Sequence, residues 1–263
     1  ETAGLRKDGT EIPIEVSFSD LVLQGERRFV GFIRDITERK RAERELSENQ
    51  EQFRVAREIQ QRLFPKSAPA SPGFDIAGAS FPAEATGGDY FDYLPMLHHR
   101  LGVIVGDVTG HGVGPALLMA ETRAYLRVLA GRREDVGEIL TRANGILAED
   151  VGAERFVTLF LGRLDPATRA LVYASAGPDT QYAPAPQIIL GRGDLVLLLT
   201  DGIEETPAPD GALFGLDRTL QVVRSHRAQP AQEIVQALYA EARAFADHAP
   251  QIDDITAIVI KVC

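Results

Sequence analysis

From Thr37 to about Leu63 the chain runs without a Gly or a Pro and is built largely from Glu, Arg, Gln and Ala. Such a composition commits the stretch to one long helix. It must end before Pro65, because a proline disfavours helical geometry in the residue ahead of it. Written in heptads, Leu46, Phe53 and Gln60 share one seam position, and Ala42, Asn49, Ala56 and Leu63 share the other. Small and polar members make this a weak seam. That pattern is expected of a parallel dimeric linker helix whose packing a signal can alter, rather than of a lone solvated helix.

The two sides of the helix follow different patterns. Ahead of it, Lys7-Asp8-Gly9-Thr10 reads as a tight hairpin turn. Ile12, Ile14, Val16 and Phe18 then alternate with the period of a half-buried strand. Gly25-Glu26 marks a second turn and Arg28–Ile33 a third strand. Three strands in the first 36 residues bury too little to stand alone, so this reads as part of a larger sheet. Behind the helix, strands are expected at Phe74–Phe81, Leu101–Val108, Val157–Leu164, Ala170–Ala176, Asp194–Thr200 and Ile255–Val262. Helical periods fall at Gly114–Ala130, Val136–Glu149 and Ala231–His248, and Asp165-Pro166-Ala167-Thr168 closes a hairpin. Hairpins and helix pairs together predict an α+β layered sandwich, not a doubly wound parallel sheet.

Charge divides along the same line. Residues 1–66 carry 13 basic and 13 acidic side chains; residues 67–263 carry 15 and 25, and so hold the entire net charge of −10. An acidic chain is poorly suited to a phosphate backbone, so no nucleic-acid partner is expected. The apolar runs are too short to span a bilayer, and no signal peptide is visible. The single cysteine, Cys263, forms no internal disulfide and fits a reducing, cytoplasmic setting.

Four Asp-bearing turns stand at the ends of apolar strands: Gly87-Gly88-Asp89, Gly106-Asp107-Val108, Thr200-Asp201-Gly202 and Asp253-Asp254-Ile255-Thr256. One such turn is ordinary; four in one domain suggest carboxylates that converge. Converging carboxylates repel one another unless a cation neutralises them, and an all-oxygen ligand set suits hard ions such as Mg²⁺ or Mn²⁺. With no HExxH and no Cys pair, zinc is not expected. The residues alone thus predict an acidic, hard-metal hydrolase site.

These motifs have a family resemblance. Gly87-Gly88-Asp89-Tyr90-Phe91-Asp92, Gly106-Asp107-Val108-Thr109-Gly110-His111-Gly112, Thr200-Asp201-Gly202-Ile203-Glu204-Glu205 and Asp253-Asp254-Ile255-Thr256 resemble those of the bacterial PP2C-like (PPM) serine/threonine phosphatases, in the SpoIIE and RsbU branch. Ala56–Pro65 resembles the helix that precedes such domains, and Arg155–Phe160 also fits. The resemblance implies an α-β-β-α four-layer sandwich holding two divalent cations, Mn²⁺ or Mg²⁺. It makes Asp107 the bridging ligand with the Val108 carbonyl beside it, Asp89 a ligand of one ion, and Asp201 and Asp253 ligands of the other. Asp253 is favoured over Asp254 because the first Asp of that motif matches the family ligand. Such a pair of ions activates a water for in-line attack on phosphorus. His111 is the nearby imidazole for protonating the leaving serine oxygen, or alternatively a turn residue of the Gly110–Gly112 loop.

Arg6–Thr10, Ile12–Val16 and Gly31–Lys40 resemble the last strands and exit helix of a PAS sensor domain. The expected organisation is therefore a partial PAS sheet over residues 1–36, a helical linker over 37–66 and a phosphatase domain over 67–263. The implied activity is PAS-regulated dephosphorylation of an anti-sigma-factor antagonist of the STAS type, by a homodimer joined through the PAS part and linker. One departure stands out: the family's His-Pro-Pro stretch and hairpin are missing between Ala176-Gly177 and Gly193-Asp194, though no ligand position is lost with them. Two other classes remain open at this point: a catalytically silent module that binds the same partner, and a diguanylate cyclase, whose GGDEF motif Gly87–Phe91 superficially resembles.

Overall fold

In the computed structural model the alternating residues after Gly9 extend into the first long strand. The structure describes residues 1–263 except 24–25, 111, 151–155 and 178–180, so the turn expected at Gly25-Glu26 lies partly outside the described residues. The chain divides into two units, Glu1–Val55 and Ala56–Cys263.

In the first unit, β1 (Thr2–Leu5), β2 (Glu11–Leu23) and β3 (Glu26–Asp35) form an antiparallel sheet in the order β1-β2-β3. Gly9 closes the first turn at a φ of 85°, a left-handed value that suits glycine. Opposed pairs such as Val16↔Ile33 and Asp20↔Phe29 put Val16, Phe18, Phe29 and Ile33 on one face, and Phe18, Phe29 and Ile33 are exposed there. At the end of β3, Asp35 accepts from both the amide (2.9 Å) and the hydroxyl (2.6 Å) of Thr37. These bonds, and then Arg6, hold its carboxyl down to about 2. They start α1 (Thr37–Gln61), the long helix of the sequence.

In the second unit, β4 (Phe74–Phe81), β10 (Leu195–Leu199) and β11 (Ile255–Val262) form one antiparallel sheet in the order β10-β11-β4. A second sheet runs β5-β6-β7-β8-β9, comprising β5 (Tyr90–Pro95), β6 (Leu101–Val108), β7 (Val157–Asp165), β8 (Ala170–Ala176) and β9 (Ile188–Ile189). Its strands are also antiparallel. Helices α2 (Val113–Ala130) and α3 (Val136–Asp150) pack with this sheet, and α4 (Gly215–His226) and α5 (Ala231–Phe245) accompany the other.

The central strands are buried on both faces, which is why they read as continuous apolar runs. In β5, Phe91 and Tyr93 join Ile258 and Ile260 of β11 in the core between the sheets, whereas Tyr90 and Leu94 join Met119 and Leu126 of α2. In β11, Ile255, Ala257 and Val259 turn instead to Ile234, Val235 and Leu238 of α5. Each such aliphatic side chain contributes roughly 1.5–3 kcal/mol by leaving water. One polar side chain interrupts the pattern. Asp92 is fully buried, accepts from the Tyr90 hydroxyl (2.9 Å), and is held by Arg127 of α2 at 2.7 and 2.8 Å.

Several elements depart from the sequence reading, β5 and α4 among them, which it did not place. The heptad seam does not stay on an open face to its end: Leu46 and Phe53 are exposed, but Gln60 is buried and Leu63 packs into the core beside α2 and α3. The last helix stops at Phe245, not His248, because Asp247 and His248 take left-handed φ values of 51° and 56°. After β8 the shortened segment is anchored by Tyr182, which is buried in the core, donates its hydroxyl to Gly177 O (2.8 Å) and donates its amide N–H to the Thr141 hydroxyl oxygen (3.1 Å).

Candidate active site

Register brings the Asp-bearing turns to one end of both sheets. Tyr90 pairs with Gly106, so the start of β5 and the end of β6 lie together. Leu199 pairs with Ala257 and Ile255 with Phe81, so the end of β10 and the start of β11 meet at the corresponding end of the other sheet. Small residues allow the final approach. A Cβ on Gly88 would lie 2.5 Å from Val108 O and 3.3 Å from Asp107 Oδ1, and one on Gly202 would lie 1.9 Å from Asp254 O. The Gly-Gly and Asp-Gly pairs are therefore required by backbone contact.

Asp89 is 3% exposed and accepts the Thr200 hydroxyl at 2.8 Å, a bond that joins the start of β5 to the end of β10. Thr200 Oγ1 in turn accepts the Thr256 amide at 3.0 Å. Burial pushes the Asp89 carboxyl well above the usual range, with Asp254 and Asp107 adding repulsion. Asp107 is raised to about 6, first by burial and then by the charges of Asp201, Asp253 and Asp254. The carboxylates thus sense one another as a group. Asp201 and Asp253 are exposed at the mouth.

The two neighbouring acids of the last motif differ in use. Asp254 is buried and accepts the amides of Ala83 (2.8 Å) and Asp89 (3.3 Å), so it fastens the turn that carries Asp89. Asp253 accepts the Asp254 amide at 2.8 Å and keeps its carboxylate at the surface. Val108 is buried, with its carbonyl against Gly88. His111 lies outside the described residues.

Beside Asp107 and Asp201 is an open cavity of about 270 Å³, walled by Thr158, Phe160, Ser175 and Leu199. Among the described residues no Lys, Arg or His lines it. Among the described residues that line it, the charged side chains, Asp107 and Asp201, are both acidic. Donor chemistry and charge therefore fit hard divalent cations. Among the described residues no group of three or more His, Cys, Asp or Glu side chains stands ready at the spacing of a single ion. The fit is one of charge and donor type.

Sequence reasoning missed three contributors: Thr200, which steadies Asp89; Asp254 as a backbone holder; and Gln60. Thr200 was visible inside its motif, beside Asp201, but nothing local distinguishes a bonding hydroxyl from a β-former. Gln60 had no local signal at all.

The family model of Stage II sporulation protein E (SpoIIE) matches residues 98–183 and 178–263, which together span more than half of the chain. The chain belongs to the SpoIIE family. Its two matched stretches meet at the shortened segment after Gly177. Phosphoserine phosphatase RsbU of Bacillus subtilis (strain 168) is 25% identical over 236 residues, covering 80% of this chain and 70% of that protein. The SiaA-PP2C domain of Pseudomonas aeruginosa superposes with a TM-score of 0.72 at 23% identity, covering 83% of this chain and 98% of that one. The structure of the RsbU and RsbW domains of Rv1364c from Mycobacterium tuberculosis gives 0.60 at 25% identity, covering 74% and 61%. This SpoIIE-family chain has a PP2C-like mixed α/β fold and is a phosphoprotein phosphatase of the SpoIIE/RsbU branch. That fold sets aside the cyclase reading of Gly87–Phe91.

Proposed function

We propose that the chain is a metal-dependent serine/threonine phosphatase controlled by an N-terminal PAS sensor, acting in a partner-switching pathway. The observation that carries the metal dependence is the mouth itself: carboxylates from four strand ends, mutually repelling, beside a cavity that no basic side chain lines among the described residues. Asp107 and the Val108 carbonyl, with Asp89 on one side and Asp201 and Asp253 on the other, would hold two divalent cations, Mn²⁺ or Mg²⁺. When bound, these supply the positive charge that a phosphoryl group needs and acidify a water for in-line displacement. The remaining work belongs to the chain. Thr200 fixes the rotamer of Asp89, and Asp254 holds the backbone behind it. The hydroxyls of Thr158 and Ser175 and the ring of Phe160 wall the space where a phosphoserine side chain enters. His111 is assigned to protonate the leaving serine oxygen.

The substrate is proposed to be phosphoserine or phosphothreonine on a STAS-type anti-sigma-factor antagonist. Support comes from the relative named a phosphoserine phosphatase and from the Rv1364c structure, in which RsbU and RsbW domains occur together. The four-layer α-β-β-α reading is supported by the helix pairs packed with each sheet. The PAS reading of residues 1–36, with the linker at 37–66 and the phosphatase at 67–263, is supported by a three-stranded sheet with an exposed apolar face. Homodimerisation through this part and α1 is proposed on the exposed Leu46 and Phe53. No helix among the described residues is long and apolar enough to cross a membrane; a cytoplasmic location is part of the proposal.

The test is phosphate release from a phosphoserine-bearing STAS protein and from a phosphotyrosine peptide, each with Mn²⁺ and with chelator. Mn²⁺-dependent release from the first alone is expected. Equal release from both would overturn the substrate class, and binding without release would favour a silent module.

A further inference from the structure

Gln60 is the one buried residue of α1, 5% exposed on a helix whose other side chains face outward or are half-buried. Burying a primary amide is costly unless both its donor and its acceptor find partners. Here the backbone of one residue supplies both. Gln60 Nε2 donates to Gly87 O at 2.6 Å, and the Gly87 amide donates to Gln60 Oε1 at 3.1 Å. Two antiparallel bonds to one residue fix distance and orientation together, as a pair of strand residues does. An apolar side chain in this space would leave the buried Gly87 N–H and C=O unpaired, whereas the amide satisfies both and fixes their position.

The residue it grips begins the turn that delivers Asp89. A Cβ on Gly87 would lie 2.1 Å from Asp254 Oδ2, so the turn is pinned between Gln60 on one side and Asp254 on the other. Each residue of the turn has its own holder. Gly87 is held by Gln60, Gly88 rests against Val108 O, and Asp89 is fixed by Asp254 at its amide and Thr200 at its carboxylate. Only the first of these holders comes from outside the Asp-motif strands and turns.

We infer that Gln60 is a positioning residue for divalent-cation binding: its clamp on Gly87 sets where Asp89 stands relative to Asp107. The inference rests on the proposed assignment of those two carboxylates to the metal site. Partners one step behind a ligand typically change metal affinity by about 10–100-fold when removed.

The experiment is direct Mn²⁺ binding to the full chain, read by calorimetry and by the electron paramagnetic resonance of unbound Mn²⁺, with the metal-free melting temperature measured beside it. Gln60→Met keeps the volume and removes both hydrogen bonds; Gln61→Ala changes the exposed neighbour. About tenfold weaker binding is expected for Gln60→Met, with the metal-free melting temperature lowered by several degrees because Gly87 loses both partners yet a cooperative melt retained, and with Gln61→Ala unchanged. Wild-type affinity in Gln60→Met would overturn the inference while leaving the metal site intact. No Mn²⁺ binding by the wild type would instead overturn the metal assignment beneath it. Hydrogen exchange on the unmutated protein gives a readout independent of any variant's folding. Mn²⁺ should slow exchange in residues 56–63 together with residues 86–92, and slowing confined to 86–92 would count against the clamp.

Discussion

At the residue scale, the carboxylates of the mouth are in electrostatic debt to one another, and this has a direct consequence for pH. Asp107 titrates at about 6 in the fold, against an ordinary value near 3.8. The folded state therefore binds more protons than the unfolded state between those values, and stability falls as pH rises through that window. In chelator, the melting temperature is predicted to be higher at pH 5 than at pH 7, and Asp107→Asn should flatten the difference. A metal-free profile that rises over the same range would contradict the placement of Asp107. Thr200 gives a second prediction. Thr200→Val removes the hydroxyl that Asp89 accepts and leaves a buried carboxylate short of a donor, at a cost of about 1–3 kcal/mol. Urea unfolding in chelator measures it; an unchanged midpoint would mean that the bond carries nothing. These hydroxyls were invisible in the sequence because threonine beside a strand is common for reasons of backbone preference alone.

At the scale of elements, strands with both faces buried announced themselves. Leu101–Val108 and Ile255–Val262 were legible to the residue, since each is a mainly apolar, β-branched-rich run bounded by polar turns. β5 was not, because Asp92 interrupts it and the motif at its start drew attention to chemistry. The structure explains the interruption: Arg127 holds Asp92 with two bonds, tying α2 to the strand that begins beside Asp89. Arg127→Ala is predicted to cost about 1.5–3 kcal/mol by chemical denaturation, and Arg127→Lys to recover only part, since an ammonium cannot reproduce the paired geometry. Full recovery with Lys would show that charge alone matters there. α4 also escaped notice. Its buried residues are Thr219, Val222 and Val223, and Thr219 satisfies itself on Gly215 O, so the apolar period is too sparse to read. In α1 the sequence period was real but its end was misread. Gln60 and Leu63 belong to the second unit's interior, and heptad arithmetic does not distinguish a partner helix from a neighbour in the same chain.

At the scale of the whole molecule, the Asp motifs suggested the proposed chemistry before the fold was legible, because hard-metal sites take oxygen ligands and the motifs fall at strand ends. What the sequence withheld was the support behind those carboxylates: long-range bonds such as Asp89–Thr200 and Gln60–Gly87 join residues 111 and 27 positions apart. No local pattern encodes such pairs; they follow from sheet order and register. The account as a whole stands on the claim that the acidic mouth works only with divalent cations, through Asp107. The most direct measurement is phosphate release from p-nitrophenyl phosphate by the wild type and Asp107→Asn, each across a Mn²⁺ titration. Turnover that appears with Mn²⁺ and is lost at every Mn²⁺ concentration in the variant is the predicted result, whereas turnover in chelator, or turnover retained by the variant at saturating Mn²⁺, would contradict it.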